Sequence, residues 1–154
     1  MSPVQFRDAQ LSDVTAIIAM LANDIRGRGR EDASEPLDPR YIRAFEAITA
    51  APNSRLIVGE IDGAVVACAQ LTVTPGLSQR GALRATIESV QVLQQHRSKG
   101  IGAQLLAHIV ALAKTQGCGI VQLTTSKMRR DAHRFYARIG FKNSHEGFKL
   151  ELPT

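Results

Sequence analysis

The stretch that most constrains this chain is Val90-Gln91-Val92-Leu93-Gln94-Gln95-His96-Arg97-Ser98-Lys99-Gly100-Ile101-Gly102, an apolar β-prone run that passes through a basic, glycine-punctuated turn into a long amphipathic segment. A strand, a tight turn and a helix start in succession leave the first N–H groups of the helix without partners inside it. The helix dipole adds partial positive charge there, so the turn is built to hold an anion, and phosphate fits it. Gly100 and Gly102 let phosphate oxygens approach a backbone that side chains would otherwise shield, and the N–H groups from Ser98 to Ala103 can converge on a diphosphate. Arg97 brings forked hydrogen bonds and Lys99 a mobile point charge. A P-loop is disfavoured because no Gly-Lys-Ser/Thr follows a leading glycine at the required spacing, and the three glycines of a dinucleotide fingerprint are missing. The competing reading of these residues is a helix start that keeps glycine for packing.

The rest of the chain alternates strand and helix signals. A short strand at Val4–Arg7 precedes a helix capped by Ser12 and Asp13, with Val14, Ile18, Leu21 and Ile25 at helical spacing. Asp38-Pro39 pairs an N-cap with proline at the first helical position, and Tyr41, Ile42, Phe45 and Ile48 form one face before Pro52 ends the second helix. Between the two lies the charged, glycine-containing segment Arg26–Glu35, expected as a mobile surface loop. Arg55–Ile61 and Ala64–Thr74 flank Asp62-Gly63, a pair that favours a type I′ hairpin. A turn around Pro75-Gly76 and Gly81 leads into a strand at Leu83–Val92, then a helix from Gly100 to about Gln116, a strand, a helix, and two strands ending in Phe148-Lys149-Leu150-Glu151-Leu152. His108 falls on the solvated stripe of the Gly100 helix, while Ile101, Leu105, Ile109 and Leu112 form the packed one.

A chain of 154 residues is long enough for one ordinary domain and short for two, so residues 1–154 are expected to form a single domain. With 44% hydrophobic residues the chain is not a disordered polymer, and no apolar run approaches the ~20 residues needed to cross a bilayer. The first eight residues lack the basic and apolar regions of a secretory signal, so a cytoplasmic, soluble protein without membrane association is expected. Cys68 and Cys118 have no metal-ligand spacing and are read as buried thiols. A net charge of +5 suits nucleic acid or a polyanionic small ligand equally. Aromatics are only 5% of residues and fall mostly at core-like positions, which argues against a nucleic-acid module built on base stacking.

The order β-α-α-β-β-β-α-β-α-β-β around the basic glycine turn resembles the GNAT family of N-acetyltransferases over nearly the whole chain. Two blocks carry the resemblance. Ile87-Glu88-Ser89-Val90 with Arg97-Ser98-Lys99-Gly100-Ile101-Gly102 matches the family's cofactor strand and turn, and Phe135-Tyr136-Ala137-Arg138-Ile139-Gly140-Phe141 matches its later aromatic-Tyr and Gly-Phe block. The implied fold class is α/β (α+β), a mixed sheet of about seven strands flanked by about four helices. The implied reaction is transfer of an acetyl group from acetyl-CoA to a primary amine by direct attack in a ternary complex, with coenzyme A as product and no metal.

The resemblance also implies roles for particular residues. Cofactor contacts fall on Val90, Val92 and Leu93 along the acetyl and pantetheine portion, and on Arg97, Ser98, Lys99, Gly100, Ile101, Gly102 and Ala103 around the diphosphate. Arg129 stands where many relatives place an Asn that touches pantetheine, and the proline common after the cofactor strand is replaced by the Leu93-Gln94-Gln95 region. A backbone N–H near Val92 would stabilise the acetyl carbonyl oxygen as it gains charge. Glu88 is the implied general base and Tyr136 the implied general acid. An amine of pKa ~10.4 costs about 4 to 5 kcal/mol to deprotonate at pH 7, and direct transfer to a free carboxylate of pKa ~4.3 lies roughly 8 kcal/mol uphill. That role therefore needs a raised pKa, a water relay, or an amine neutralised by desolvation. A phenol of pKa ~10 does not fully protonate a thiolate of pKa ~8.5, but it donates a strong hydrogen bond to one.

The acceptor site is implied to involve Arg26–Glu35 and Asn143–Gly147, where three arginines in the first segment suit a carboxylate-bearing substrate such as an amino acid. A small-molecule amine is expected, with a protein N-terminus or lysine as the alternative, and a non-catalytic acyl-CoA-binding regulatory module as a reading from another class. The resemblance admits a homodimer. His96 and His133, beside the two blocks, read as surface or capping residues rather than proton carriers.

Overall fold

The computed structural model describes residues 2–154, which form two compact units divided after Gln122. In the first, strands β1 (Gln5–Asp8), β2 (Ser54–Ile61), β3 (Ala64–Thr74), β4 (Leu83–Val92) and β5 (Cys118–Leu123) form one sheet in sequence order. Neighbours from β1 to β4 are antiparallel. β5 enters beside β4 after a helical crossover and runs in the same direction. A Cβ at Gly119 would lie 3.4 Å from Ala82, and three residues on Gln122 Nε2 donates to Thr86 Oγ1 at 3.2 Å.

Helices α1 (Val14–Asn23) and α2 (Pro39–Ala50) precede the hairpin, α3 (Ser78–Gly81) is a short turn between β3 and β4, and α4 (Ile101–Thr115) is the crossover. Ile17 and Met20 of α1 pack on Val58 and Cys68. Their strand neighbours Ile57 and Ala69, which alternation turns to the opposite face, are also 0% exposed, and α4 lies against β3 and β4. Both faces of the central strands are therefore covered, which is why their burial is continuous rather than alternating.

The local chemistry explains most boundaries. Asp62 and Gly63 both take positive φ, 50° and 80°, as a type I′ turn demands. Asp38 caps α2 by accepting from the Arg40 N–H at 2.9 Å, with Pro39 at the first position. Asp13, nearly buried, does not cap α1 through its side chain. It accepts from Arg7 at 2.7 and 3.1 Å and from the Gln10 N–H at 2.7 Å, tying β1 to the helix start. The Arg7 guanidinium, which also meets Glu60, holds the Asp13 carboxyl below its ordinary range.

Several expectations need correction. α1 ends at Asn23, so Ile25 lies beyond it and is 81% exposed. Arg26–Glu35 lies at the surface, as expected, and its first part is wound into hydrogen-bonded turns. Gly27 and Arg28 N–H groups donate to Asp24 O, those of Arg30 and Glu31 donate to Gly27 O, and the Asp32 N–H donates to the Tyr41 hydroxyl at 2.9 Å. Gly27 is buried so tightly that a Cβ would sit 1.7 Å from Leu21 O. His108 is half-buried, its ring stacked on Phe6 with centroids 5.1 Å apart, and burial pushes its pKa down, helped by the Arg55 charge. Cys68 is buried, while Cys118 is only partly so.

The second unit holds α5 (Arg130–Arg138). The two closing strands expected there are absent among the described residues, so five strands and five helices stand where seven and four were expected. Phe148, Leu150 and Leu152 are exposed.

Candidate active site

β4 carries the site, and its path is irregular. Cys68 pairs with Gln91 and Gln70 with Glu88, so one β3 residue faces two on β4, a bulge at Ser89-Val90 with Ser89 at φ 56°. The buried Cys68 thiol fastens this bulge: it donates to Ser89 O at 3.6 Å and accepts from the Gln91 N–H, and burial pushes its pKa up to about 12. Cysteine's role here was missed in the sequence because a bulge in the facing strand leaves no mark on the spacing of β3. Glu88, immediately before the bulge, is exposed and has no ion-pair or side-chain hydrogen-bond partner among the described residues.

Beyond the bulge the β4 edge away from β3 is open. β4 continues through Ile87–Val92 after Thr86, whereas β5 has only Leu123 left after Gln122. The Leu93 N–H donates to Val66 O on β3 at 2.7 Å, so alternation turns the N–H and C=O of Val92 to the free edge. There Arg97 Nε donates to Val92 O at 3.0 Å, which ties the turn to the strand and leaves the Val92 N–H without a ladder partner. Val90 and Leu93 flank this point, both half-buried.

The turn itself is a concave array of donors. Arg97 is extended at ψ 157°, Ser98 has φ 62° and Gly100 has φ 81°, an alternation that curls successive N–H groups toward a common point. The Gln104 N–H donates to Gly100 O, the first intrahelical bond of α4. The N–H groups of Ser98, Lys99, Gly100, Ile101, Gly102 and Ala103 have no acceptor among the described residues. Lys99 is exposed beside them, and a Cβ at Gly100 would meet nothing closer than Gln104 Nε2 at 3.9 Å. Gly100 is thus kept by its backbone conformation rather than by helix packing, and the reading of this turn as mere packing glycine fails at that residue. His96 adds a buried Nδ1 with no partner. This donor set can hold a diphosphate.

In the second unit, Tyr136 sits on α5, edge-on to Phe135 at 5.2 Å and to Phe141 at 5.9 Å. Its hydroxyl has no hydrogen-bond partner among the described residues. Burial pushes the phenol pKa up, and Arg129 at the helix start pulls it down by a lesser amount. His133 Nε2 donates to Ser126 O at 2.8 Å, fixing the turn that enters α5. Among the described residues no group of three or more His, Cys, Asp or Glu is placed to hold a metal, and no helix is long and apolar enough to cross a membrane.

Residues 19–141 match the model of the acetyltransferase (GNAT) family. The chain is 30% identical over 149 residues to the aminoalkylphosphonate N-acetyltransferase of Salmonella typhimurium, covering 96% of this chain and 91% of that protein. It is 28% identical over 162 residues to the streptothricin acetyltransferase of Streptomyces lavendulae, covering 91% and 82%. A crystal structure from Bacillus halodurans, of a protein described as a transcriptional regulator, superposes with a TM-score of 0.95 at 43% identity over 97% of this chain and 100% of that one. With its β4 bulge, open strand edge and unsatisfied donor turn, the chain belongs to the GNAT acetyltransferase family and is an N-acetyltransferase.

Proposed function

We propose that residues 1–154 act as one domain that transfers an acetyl group from acetyl-CoA to the primary amine of a small molecule in the cytoplasm. The observation that carries this reading is the run of unsatisfied N–H groups from Ser98 to Ala103, a donor count that suits a diphosphate and that no group of the described chain uses. Acetyl-CoA supplies the activated acetyl thioester. The turn binds its diphosphate, with Arg97 and Lys99 adding charge, and Val90, Val92, Leu93 and Arg129 line the pantetheine path. The Val92 N–H at the open β4 edge donates to the acetyl carbonyl oxygen. Glu88, exposed and unpaired, takes the proton from the ammonium through water. Tyr136, which burial keeps in the phenol form, donates a hydrogen bond to the departing sulfur and retains its proton.

The names of two relatives, acetylating an aminoalkylphosphonate and streptothricin, support a small-molecule amine here. Arg26 and Arg28 are exposed without an acidic partner among the described residues, which favours an amine that also carries an anionic group. A second reading, a regulatory acyl-CoA-binding module, is favoured by the description of the Bacillus halodurans protein. An amine panel monitored by thiol release separates the two. Turnover with aminophosphonates or amino acids, lowered by Glu88→Gln more at neutral than at high pH, is the expected result. Coenzyme A binding without turnover on any small amine, peptide or lysine favours the module instead.

A further inference from the structure

The bulge in β4 also decides which side chains stand together. Glu88 and Gln91 are three residues apart, so an even strand would turn them to opposite faces. The extra residue at Ser89-Val90 cancels that. Glu88 pairs with Gln70 and Gln91 with Cys68, two β3 positions on one face, and directly paired residues share a face. It is the face under α1, because Cys68 packs with Ile17 and Met20. The carboxylate and the amide therefore start about 7 Å apart, the step between alternate residues of a strand. Burial along this face falls from Gln91, 7% exposed, to the exposed Glu88.

Gln91 is a buried polar side chain that the fold leaves unused. Its backbone N–H is taken by the Cys68 thiol, but its side-chain amide makes no hydrogen bond among the described residues and lies on the face of the apolar cluster Ile17, Met20 and Val58. An unbonded amide there destabilises the unliganded chain. Among the described residues the sealed side-chain polar atom without a partner is His96 Nδ1, so the unbonded Gln91 amide keeps an opening through which a ligand can reach it.

We propose, on the footing of acetyl transfer to a small amine, that Gln91 Oε1 receives an N–H of the acceptor and holds its nitrogen beside Glu88. An amine has N–H to donate whether or not it is protonated, and an amide oxygen accepts without bringing a charge into an apolar cluster. A second N–H then remains for the water that carries the proton to Glu88. A neutral primary amine meets both needs, whereas a neutral secondary amine has one N–H and must give up the Gln91 bond to lose it. Gln91 is thus a specificity-determining residue for primary amines.

Steady-state kinetics on the full chain, with the amine of highest turnover in the panel and its N-methyl analogue, test this. Wild type is compared with Gln91→Met, which keeps the volume and removes the hydrogen bonds, and with Gln91→Asn, which keeps the amide and draws it back by one methylene. For both variants the expected result is an amine KM raised about 10-fold, an unchanged acetyl-CoA KM and a narrowed preference for the primary amine. Gln91→Met should be at least as heat-stable as wild type, because the unbonded amide is gone; should one variant fail to fold, the other reads the same quantities. An unchanged amine KM and an unchanged preference in a folded variant overturn the proposal and leave acetyl transfer standing. So does an acetyl-CoA KM that rises as much as that of the amine, because the side chain would then serve the cofactor. A wild type that turns over no amine overturns acetyl transfer itself, and the proposal with it.

Discussion

The turn after α1 and the turn before α4 are both basic and both punctuated by glycine, yet they dispose of their backbone donors in opposite ways. In the first, the N–H groups of Gly27, Arg28, Arg30 and Glu31 all find carbonyls within the turn, and Gly27 exists because a Cβ would collide with Leu21 O. In the second, the N–H groups from Ser98 to Ala103 find none, and Gly100 exists because φ 81° is costly for any other residue. One glycine serves packing and the other serves an open concavity. Composition does not distinguish the two; accounting for each donor does.

The sharpest way to break this contrast is Gly27→Ala. A Cβ 1.7 Å from a backbone oxygen cannot be relieved by a side-chain rotation, so a stability loss of about 3 kcal/mol or more is expected in denaturant titration, with coenzyme A affinity of the folded fraction unchanged. Tyr136→Phe asks whether binding and chemistry separate. It should lower kcat by about 100-fold while leaving coenzyme A affinity intact. Because burial raises the phenol above its ordinary value of 10.0, activity that depends on its proton should persist through mildly alkaline pH and fall only above that value. An alkaline limb below pH 9 that vanishes in Tyr136→Phe contradicts the assignment.

Gly100→Ala reverses the Gly27 pattern. The new methyl has room, so stability should drop by only about 1 kcal/mol for the left-handed conformation, whereas coenzyme A affinity should fall about 10-fold as the donor array flattens. Tyr41→Phe is the mildest test. It removes the acceptor of the Asp32 N–H, and about 1 kcal/mol or less is expected, read as faster amide exchange confined to the segment after α1.

What the sequence disclosed followed from local chemistry. The Asp62-Gly63 hairpin, the Asp38-Pro39 start of α2 and the limits of β4 depend on residues within a few positions of one another, and the structure reproduces them. What it hid depends on partners far along the chain. Ile25 continues a helical spacing, but the helix stops at Asn23, Asp24 is extended, and Gly27 returns against Leu21 O, a contact with a preceding turn that spacing does not reveal. The left-handed run at Gln79, Arg80 and Gly81 has glycine at one position only and carries no spacing signal. The β4 bulge is invisible until Cys68 and Ser89 are seen facing each other across two strands. The closing strands were expected from the alternation of Phe148, Leu150 and Leu152 with Lys149 and Glu151, but alternation is a statement about side chains and a strand also needs ladder partners far along the chain; these three residues are exposed.

Backbone amide resonances followed while coenzyme A is added distinguish an open diphosphate cradle before α4 from a closed turn after α1. Large, saturable shifts are expected at Ser98 through Ala103 and at Val92, with Gly27 through Glu31 unmoved. Unshifted Ser98–Ala103 resonances at saturating coenzyme A, or shifts that fall instead on the turn after α1, would contradict the open cradle.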